Sequence, residues 1–169
     1  MTPVQNRIAV RGNRIEEVPH DEVDFELPST HNFFSSHINL IPMQSAVQGP
    51  RLFYGARFFN QAMPVKNPQA PWVQNKPSDS DRSFDELMGD RAGTFRAEAP
   101  GTVSRVTPKD IHLKLDTGEE KKIPIYHNFS FNRKTAVHST PIVKAGDKVA
   151  PGQLLAHSNF TDKNGTLAM

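Results

Sequence analysis

Fourteen prolines stand against ten glycines in 169 residues, and they limit the fold more than any other feature. Each proline fixes its own φ, lacks an N–H donor and steers the residue before it out of the α region. Such a chain folds from turns, short strands and extended segments, with few long helices. Hydrophobic residues make up 36% and mean hydropathy is −0.56, on the polar side for a domain that must bury its own core. The length suits one full core or two small modules. No apolar run approaches the roughly 18 to 20 residues of a membrane span. Met1 to Val10 lacks the basic flank and apolar stretch of a signal peptide. The absence of cysteine removes disulfides, thiolate zinc sites and thiol nucleophiles together, and fits a reducing compartment. The expected location is therefore the cytoplasm, with no membrane partner, and the sequons at Asn128, Asn159 and Asn164 read as chance.

The fold class expected is mainly β with few helices. Arg7 to Val10 meets a turn at Gly12-Asn13 and Ile15 to Val18 returns, a hairpin. Val23, Phe25 and Leu27 alternate with Asp24 and Glu26 as in a strand with one wet face, ended by Pro28. These form an N-terminal unit over 1–30. Residues 31–75 begin with a buried segment of open type from His31 to Pro42. A helix follows over 50–63, with Pro50 in its first turn, a stripe of Leu52, Ala56, Phe59 and Met63, and Pro64 as terminator. Phe53 and Phe58 fall off that stripe, so the helix needs neighbours on more than one side. An extended arm then carries Trp72, which reads as an apolar anchor, and so long an arm argues for a partner surface. Residues 76–92 read as a loop or linker, with one helical turn over Phe84 to Met88. Residues 93–169 are a β module, with strands over 94–97, 101–106, 111–115 and 122–126 and a hairpin turn at Asp116-Thr117-Gly118. Tight turns at Gly146-Asp147 and Pro151-Gly152 bracket further short strands.

Charge is informative locally. Residues 16 to 27 hold six acids and no Lys or Arg, whereas 121 to 148 hold six basic residues against Asp147 alone. The basic half suits either a polyanion or an ordinary solvated strand surface. The seven histidines show no metal-ligand spacing. Ser35-Ser36-His37 has no glycine elbow, and neither a phosphate loop nor a magnesium-type acidic cluster occurs. No self-sufficient active site is expected. The segment from Val143 to Leu155 is similar to the turn pattern of biotinyl and lipoyl carriers, which share the barrel-sandwich hybrid fold. No lysine here lies between methionines, so that likeness implies fold and leaves a carrier role as a distant alternative.

Three ordered motifs resemble the hybrid-binding region of the bacterial-type RNA polymerase β subunit. Asp21-Glu22-Val23-Asp24-Phe25 with Pro28-Ser29 is similar to that family's (D/E)-x-V-D-(Y/F)…S strand. Asn39-Leu40-Ile41-Pro42, Arg51 and Gly55-Ala56-Arg57-Phe58-Phe59-Asn60-Gln61-Ala62-Met63-Pro64 resemble S-L-I-P…R…G-A-N-M-Q-R-Q-A-V-P with matching spacing. Gly101-x-Val103, Ile111-x-Leu113-Lys114, Pro141-x-Val143-x-x-Gly146-Asp147-x-Val149, Gly152-x-x-Leu155-Ala156 and Gly165-x-Leu167-Ala168 match the strands that follow. The resemblance implies part of a double-psi-barrel and hybrid-binding region, then a barrel-sandwich-hybrid-like module. It implies that Arg51 reaches the triphosphate of the incoming nucleotide, a use for a bidentate planar cation. Arg57, Asn60 and Gln61 fall on the wall beside the RNA–DNA hybrid, and Arg133, Lys144 and Lys148 become possible backbone-phosphate contacts.

The resemblance further implies a DNA-directed RNA polymerase, a nucleotidyltransferase, in which this chain has no catalytic residue and no metal site. Magnesium is held by aspartates of a β′-like partner, so the isolated chain should be inactive. Partners would be other β fragments, β′-like subunits, template DNA, transcript RNA and nucleoside triphosphates. Departures at Met43 to Pro50, Arg57 to Asn60, Gln74-Asn75-Lys76 and Arg133-Lys134-Thr135 mark a divergent enzyme. The ends at Met1 and Met169 suggest a fragment or a split β gene. The source expected on that ground is a giant bacteriophage, with a virion as a second location. The alternative is a non-catalytic scaffold segment of a multisubunit complex.

Overall fold

The computed structural model describes residues 6–26 and 30–169, and its architecture is mainly β with three short α-helices. β1 (Asn6–Arg11) and β2 (Arg14–Pro19) form the expected antiparallel hairpin, pairing Val10 with Ile15. Gly12, at φ 64, takes the left-handed conformation that the two-residue connection requires.

Over its described residues, 23–26, the strand expected at 23–27 does not form. His20–Glu22 is a 3₁₀ turn closed by the Val23 N–H on the His20 carbonyl at 3.2 Å, and residues 23–26 run on without a strand partner. Alternation marks a strand only where a neighbouring edge accepts the backbone hydrogen bonds, and Phe25 is 95% exposed. Leu27, Pro28 and Ser29 lie outside the described residues.

The segment from His31 to Pro42 holds a 3₁₀ turn at Thr30–Phe33 and α1 (Ser36–Asn39), which Ser35 caps by accepting the Ile38 N–H at 3.4 Å. Ile38 and Leu40 are buried, whereas Phe33 and Phe34 face outward. α2 spans Gly49–Phe59 with Pro50 in its first turn, and stops four residues short of the expected Met63. Gln61 N–H bonds to Phe58 and Ala62 N–H to Phe59, the tighter i→i+3 pattern of a chain leaving a helix. Pro64 bars Met63 from the α region, so the unwinding reaches back a full turn. Leu52 and Ala56 are buried against Ile38, while Met63, expected on the buried stripe, is exposed.

Residues 64–77 are the extended arm, without helix or strand. Trp72 on it is 98% exposed, so it meets no apolar surface among the described residues. α3 (Phe84–Arg91) exceeds the single expected turn. Its start is a reciprocal capping box, with the Ser83 hydroxyl accepting the Glu86 N–H and the Glu86 carboxylate accepting the Ser83 N–H.

The β module packs two sheets around one core. The first has the order β10 (Lys148–Val149), β4 (Gly101–Val106), β5 (Asp110–Leu115), β6 (Glu120–Pro124). The second has the order β3 (Phe95–Arg96), β11 (Leu154–Ser158), β9 (Ser139–Pro141). Val103, Ile111 and Leu113 from the first meet Leu155 and Ala156 from the second. A hairpin of β7 (Phe129–Phe131) and β8 (Thr135–Val137) stands beside them. A second core, with Leu40, Ala92, Val137, Phe160 and Leu167, joins α1 and α3 to this module.

Candidate nucleic-acid interface

α2 is the element that positions most of the candidate residues. Its inner side buries Leu52 and Ala56, which leaves Arg51, Phe53, Tyr54, Arg57 and Phe58 on the outside. From Gly49 to Asn60 the chain carries two arginines and no acid, and each arginine has aromatic neighbours on its own side of the helix, Arg51 with Tyr54 and Phe58 and Arg57 with Phe53. Tyr54 and Phe58, one turn apart, stack obliquely with ring centres 6.0 Å apart. With Gln48, Pro50, Arg51 and Gly55 they line a shallow groove at the start of the helix. Arg51 sits exposed in the first turn, beside Gln48, Tyr54 and Gly55.

The far end of α2 is held differently. The β7–β8 turn places Asn132 and Arg133 at φ 45 and 62, as a type I′ connection demands. The Asn132 amide donates to the Ala62 carbonyl at 2.9 Å and its oxygen accepts the Thr135 hydroxyl at 2.8 Å. That clamp brings the turn bearing Arg133 beside Asn60 and Gln61. Asn60 also borders a cleft of about 380 Å³ lined by Leu40, Phe59, Met88, Phe131 and Phe160. Arg51 and Asn60 are nine residues apart, about 13 Å along the helix axis.

Lys144 and Lys148 stand on another element. Lys148 is in β10, the outer strand of the four-stranded sheet, paired with Thr102. The Lys144 backbone N–H bonds to the Asp147 carboxylate at 2.7 Å, closing the turn before β10. Both side chains are exposed, and neither shares an element with α2. The candidate residues thus fall into Arg51 at the start of α2, Arg57 and Asn60 on another side of it toward its end, a basic hairpin tip beside that end, and a separate sheet-edge pair.

Two positions that shape the surrounding fold carry no motif in the sequence. The Asn75 amide donates to the Asn39 carbonyl at 2.8 Å and the Ile41 carbonyl at 2.6 Å, while its own carbonyl accepts the Phe84 N–H at 2.9 Å. It ties the end of the arm to the turn after α1. Asn75→Ala keeps the backbone bond to Phe84 but orphans the Asn39 and Ile41 carbonyls, and is expected to lower stability by about 1–3 kcal/mol, read as a shift in urea midpoint.

The second is Asp85, 3% exposed, with Oδ2 lacking any partner among the described residues. Burial pushes its carboxyl up from 3.8 to about 6. Below 3.8 both folded and unfolded chains hold the proton; between 3.8 and about 6 only the folded chain does. Stability therefore falls as pH rises through that window, by up to about 3 kcal/mol. Asp85→Asn is expected to flatten this profile in urea titrations across the window, and parallel wild-type and variant profiles would refute the assignment.

The comparisons with known proteins bear on the whole chain. No family model matches it. The β subunit of DNA-directed RNA polymerase from Thermus thermophilus is 29% identical over 176 aligned positions, covering 99% of this chain and 15% of that protein. The Rubrobacter xylanophilus β subunit is 30% identical over 159 positions, covering 94% and 13%. The Tropheryma whipplei β subunit is 28% identical over 163 positions, covering 95% and 14%. The chain thus spans about one-seventh of the length of the curated relatives it matches. No helix of the described residues is long and apolar enough to cross a membrane.

Proposed function

We propose that this chain, related along nearly its whole length to a segment of the RNA polymerase β subunit, forms part of the RNA–DNA hybrid wall and one side of the nucleotide site in a multisubunit transcribing enzyme. The continuity of the match carries the reading: one collinear alignment takes in α2 and both sheets, rather than a shared β module alone. The acid-free exposed surface of α2 supports it, because arginines flanked by aromatic rings suit a polyanion that carries bases.

In this reading each part has a physical task. Arg51 offers two parallel N–H donors to triphosphate oxygens and stabilises the charge that develops there. Asn60, Gln61 and Arg57 border the hybrid, and Arg133 adds a cation at the same end of the helix. Lys144 and Lys148 meet a phosphate backbone from the sheet edge. Magnesium, held by a partner subunit, supplies the metal assistance to phosphoryl transfer. The partners are β- and β′-like chains, DNA, RNA and nucleoside triphosphates.

A second reading, a scaffold that holds polymerase parts together without touching substrate, is favoured by the outward aromatic rings of Phe53 and Trp72, which suit protein contacts. The two readings separate on salt dependence. In assembled elongation complexes, Gln61→Ala with Arg133→Ala is expected to lower the salt concentration at which RNA is released, because a phosphate contact is lost. Assembly should be intact. Unchanged release across the salt series would favour the scaffold.

A further inference from the structure

His127 and His138 are eleven residues apart and show no ligand spacing, yet the fold brings their rings together. In the β7–β8 hairpin Phe129 pairs with Val137 and Ser130 with Ala136. Continued unbroken, that register would set Asn128, not His127, across from His138. Asn128 instead takes a left-handed conformation at φ 53, which adds one residue to its strand as a bulge does. The shift is visible one step further on, where the Ser139 N–H bonds to the Tyr126 carbonyl at 2.8 Å. His127 then stands opposite His138, with ring centres 5.2 Å apart and planes inclined by 59°.

That separation suits a shared cation. With zinc–nitrogen bonds of about 2.0–2.1 Å and ring centres about 1.1 Å behind the nitrogens, two imidazoles at a tetrahedral angle have centres about 5.2 Å apart. A second observation points the same way. His138 Nδ1 is buried and has no hydrogen-bond partner among the described residues, a costly state for a polar atom with nothing to meet. His127 is exposed, so one side of the pair is open to solvent and to water ligands. Imidazole donors with no thiolate select late first-row divalent cations over Mg²⁺ or Ca²⁺.

We propose that His127 and His138 form a two-histidine site for a late first-row divalent cation such as Zn²⁺, completed by water. The bound ion cross-links the β6–β7 connection to the β8–β9 junction. It lies on residues other than those of the nucleotide and hybrid roles above and does not depend on them.

The test is Zn²⁺ titration of the full metal-free chain by calorimetry, with thermal unfolding followed in parallel. The wild type is expected to take up one saturable equivalent and to unfold at higher temperature when loaded, because the ion binds the folded state. His127→Gln, at an exposed position, is expected to fold normally, to lose that equivalent and to show no zinc-dependent shift. His138→Gln should do the same, and His20→Gln should bind as the wild type does. Absence of saturable uptake by the wild type overturns the proposal. So does uptake unchanged in a folded His127→Gln chain, which would place the ion elsewhere.

Discussion

Replacing Arg51 with alanine in the assembled enzyme is expected, on the proposed triphosphate role, to lower kcat/KM for nucleotide addition by about 10- to 150-fold, the equivalent of one charged hydrogen-bonding partner at about 1.5–3 kcal/mol. The expectation rests on position as much as on residue type. Arg51 lies in the first turn of α2, exposed, with Leu52 beside it anchoring the helix. The substitution removes no buried contact, so the fold should change by no more than about 0.5 kcal/mol. The loss should therefore appear at limiting nucleotide rather than in yield or assembly. Arg51→Lys is expected to recover only part of it, because an ammonium is a point charge and cannot grip two oxygens in parallel. Elongation at limiting nucleotide that is indifferent to Arg51→Ala would remove the triphosphate role and leave the scaffold reading.

Gly89→Ala is expected to give the largest loss of stability, about 3 kcal/mol. Gly89 is buried in α3 where the C-terminal segment crosses it. A Cβ there would press into the Gly165 carbonyl oxygen and lie 3.0 Å from its carbon and 3.3 Å from the Leu167 nitrogen. All three are backbone atoms, so no side chain can rotate away. The same crossing carries the Leu167 N–H bond to the Asp85 carbonyl at 3.0 Å and the Thr94 N–H bond to Gly89 at 3.2 Å. The clash would thus loosen the core formed by Leu40, Ala92, Phe160 and Leu167. Gly49→Ala is the control: nothing lies within 4 Å of its added Cβ, and it should be nearly neutral. Urea midpoints read both, and equal midpoints for Gly89→Ala and wild type would show that the crossing is slack.

The contrast between these two positions shows what the sequence disclosed. The place of Arg51 in the first turn of α2 was legible because Pro50 and the spacing of Leu52 and Ala56 mark a helix start. β4, β5 and the Asp116-Thr117-Gly118 turn were legible because alternation and turn chemistry are local. Gly89 was not, since the chain that crowds it lies 76 residues further on, at Gly165. The same holds for Asn75 and Asn132, whose amides reach carbonyls 34 to 36 and 70 residues away. The false strand at 23–26 and the overlong helix at 60–63 have one cause. Each had the right local period, but the first lacked a strand to pair with and the second ran into Pro64. Where pairing or packing from elsewhere decides, periodicity alone cannot.

The aromatic residues on α2 and the arm connect this to function. Phe53, Tyr54, Phe58 and Trp72 all face solvent in this chain, Trp72 almost completely, and so many large exposed rings are the mark of surfaces that meet something. The account assigns that surface to an assembly containing nucleic acid and other polymerase chains.

Mass spectrometry of what co-purifies with the tagged chain from its native source tests that assignment most directly. The account predicts large partners related to the β and β′ subunits, one of them carrying the Asn-Ala-Asp-Phe-Asp-Gly-Asp magnesium motif. A solitary, monodisperse chain of 18.9 kDa would contradict it.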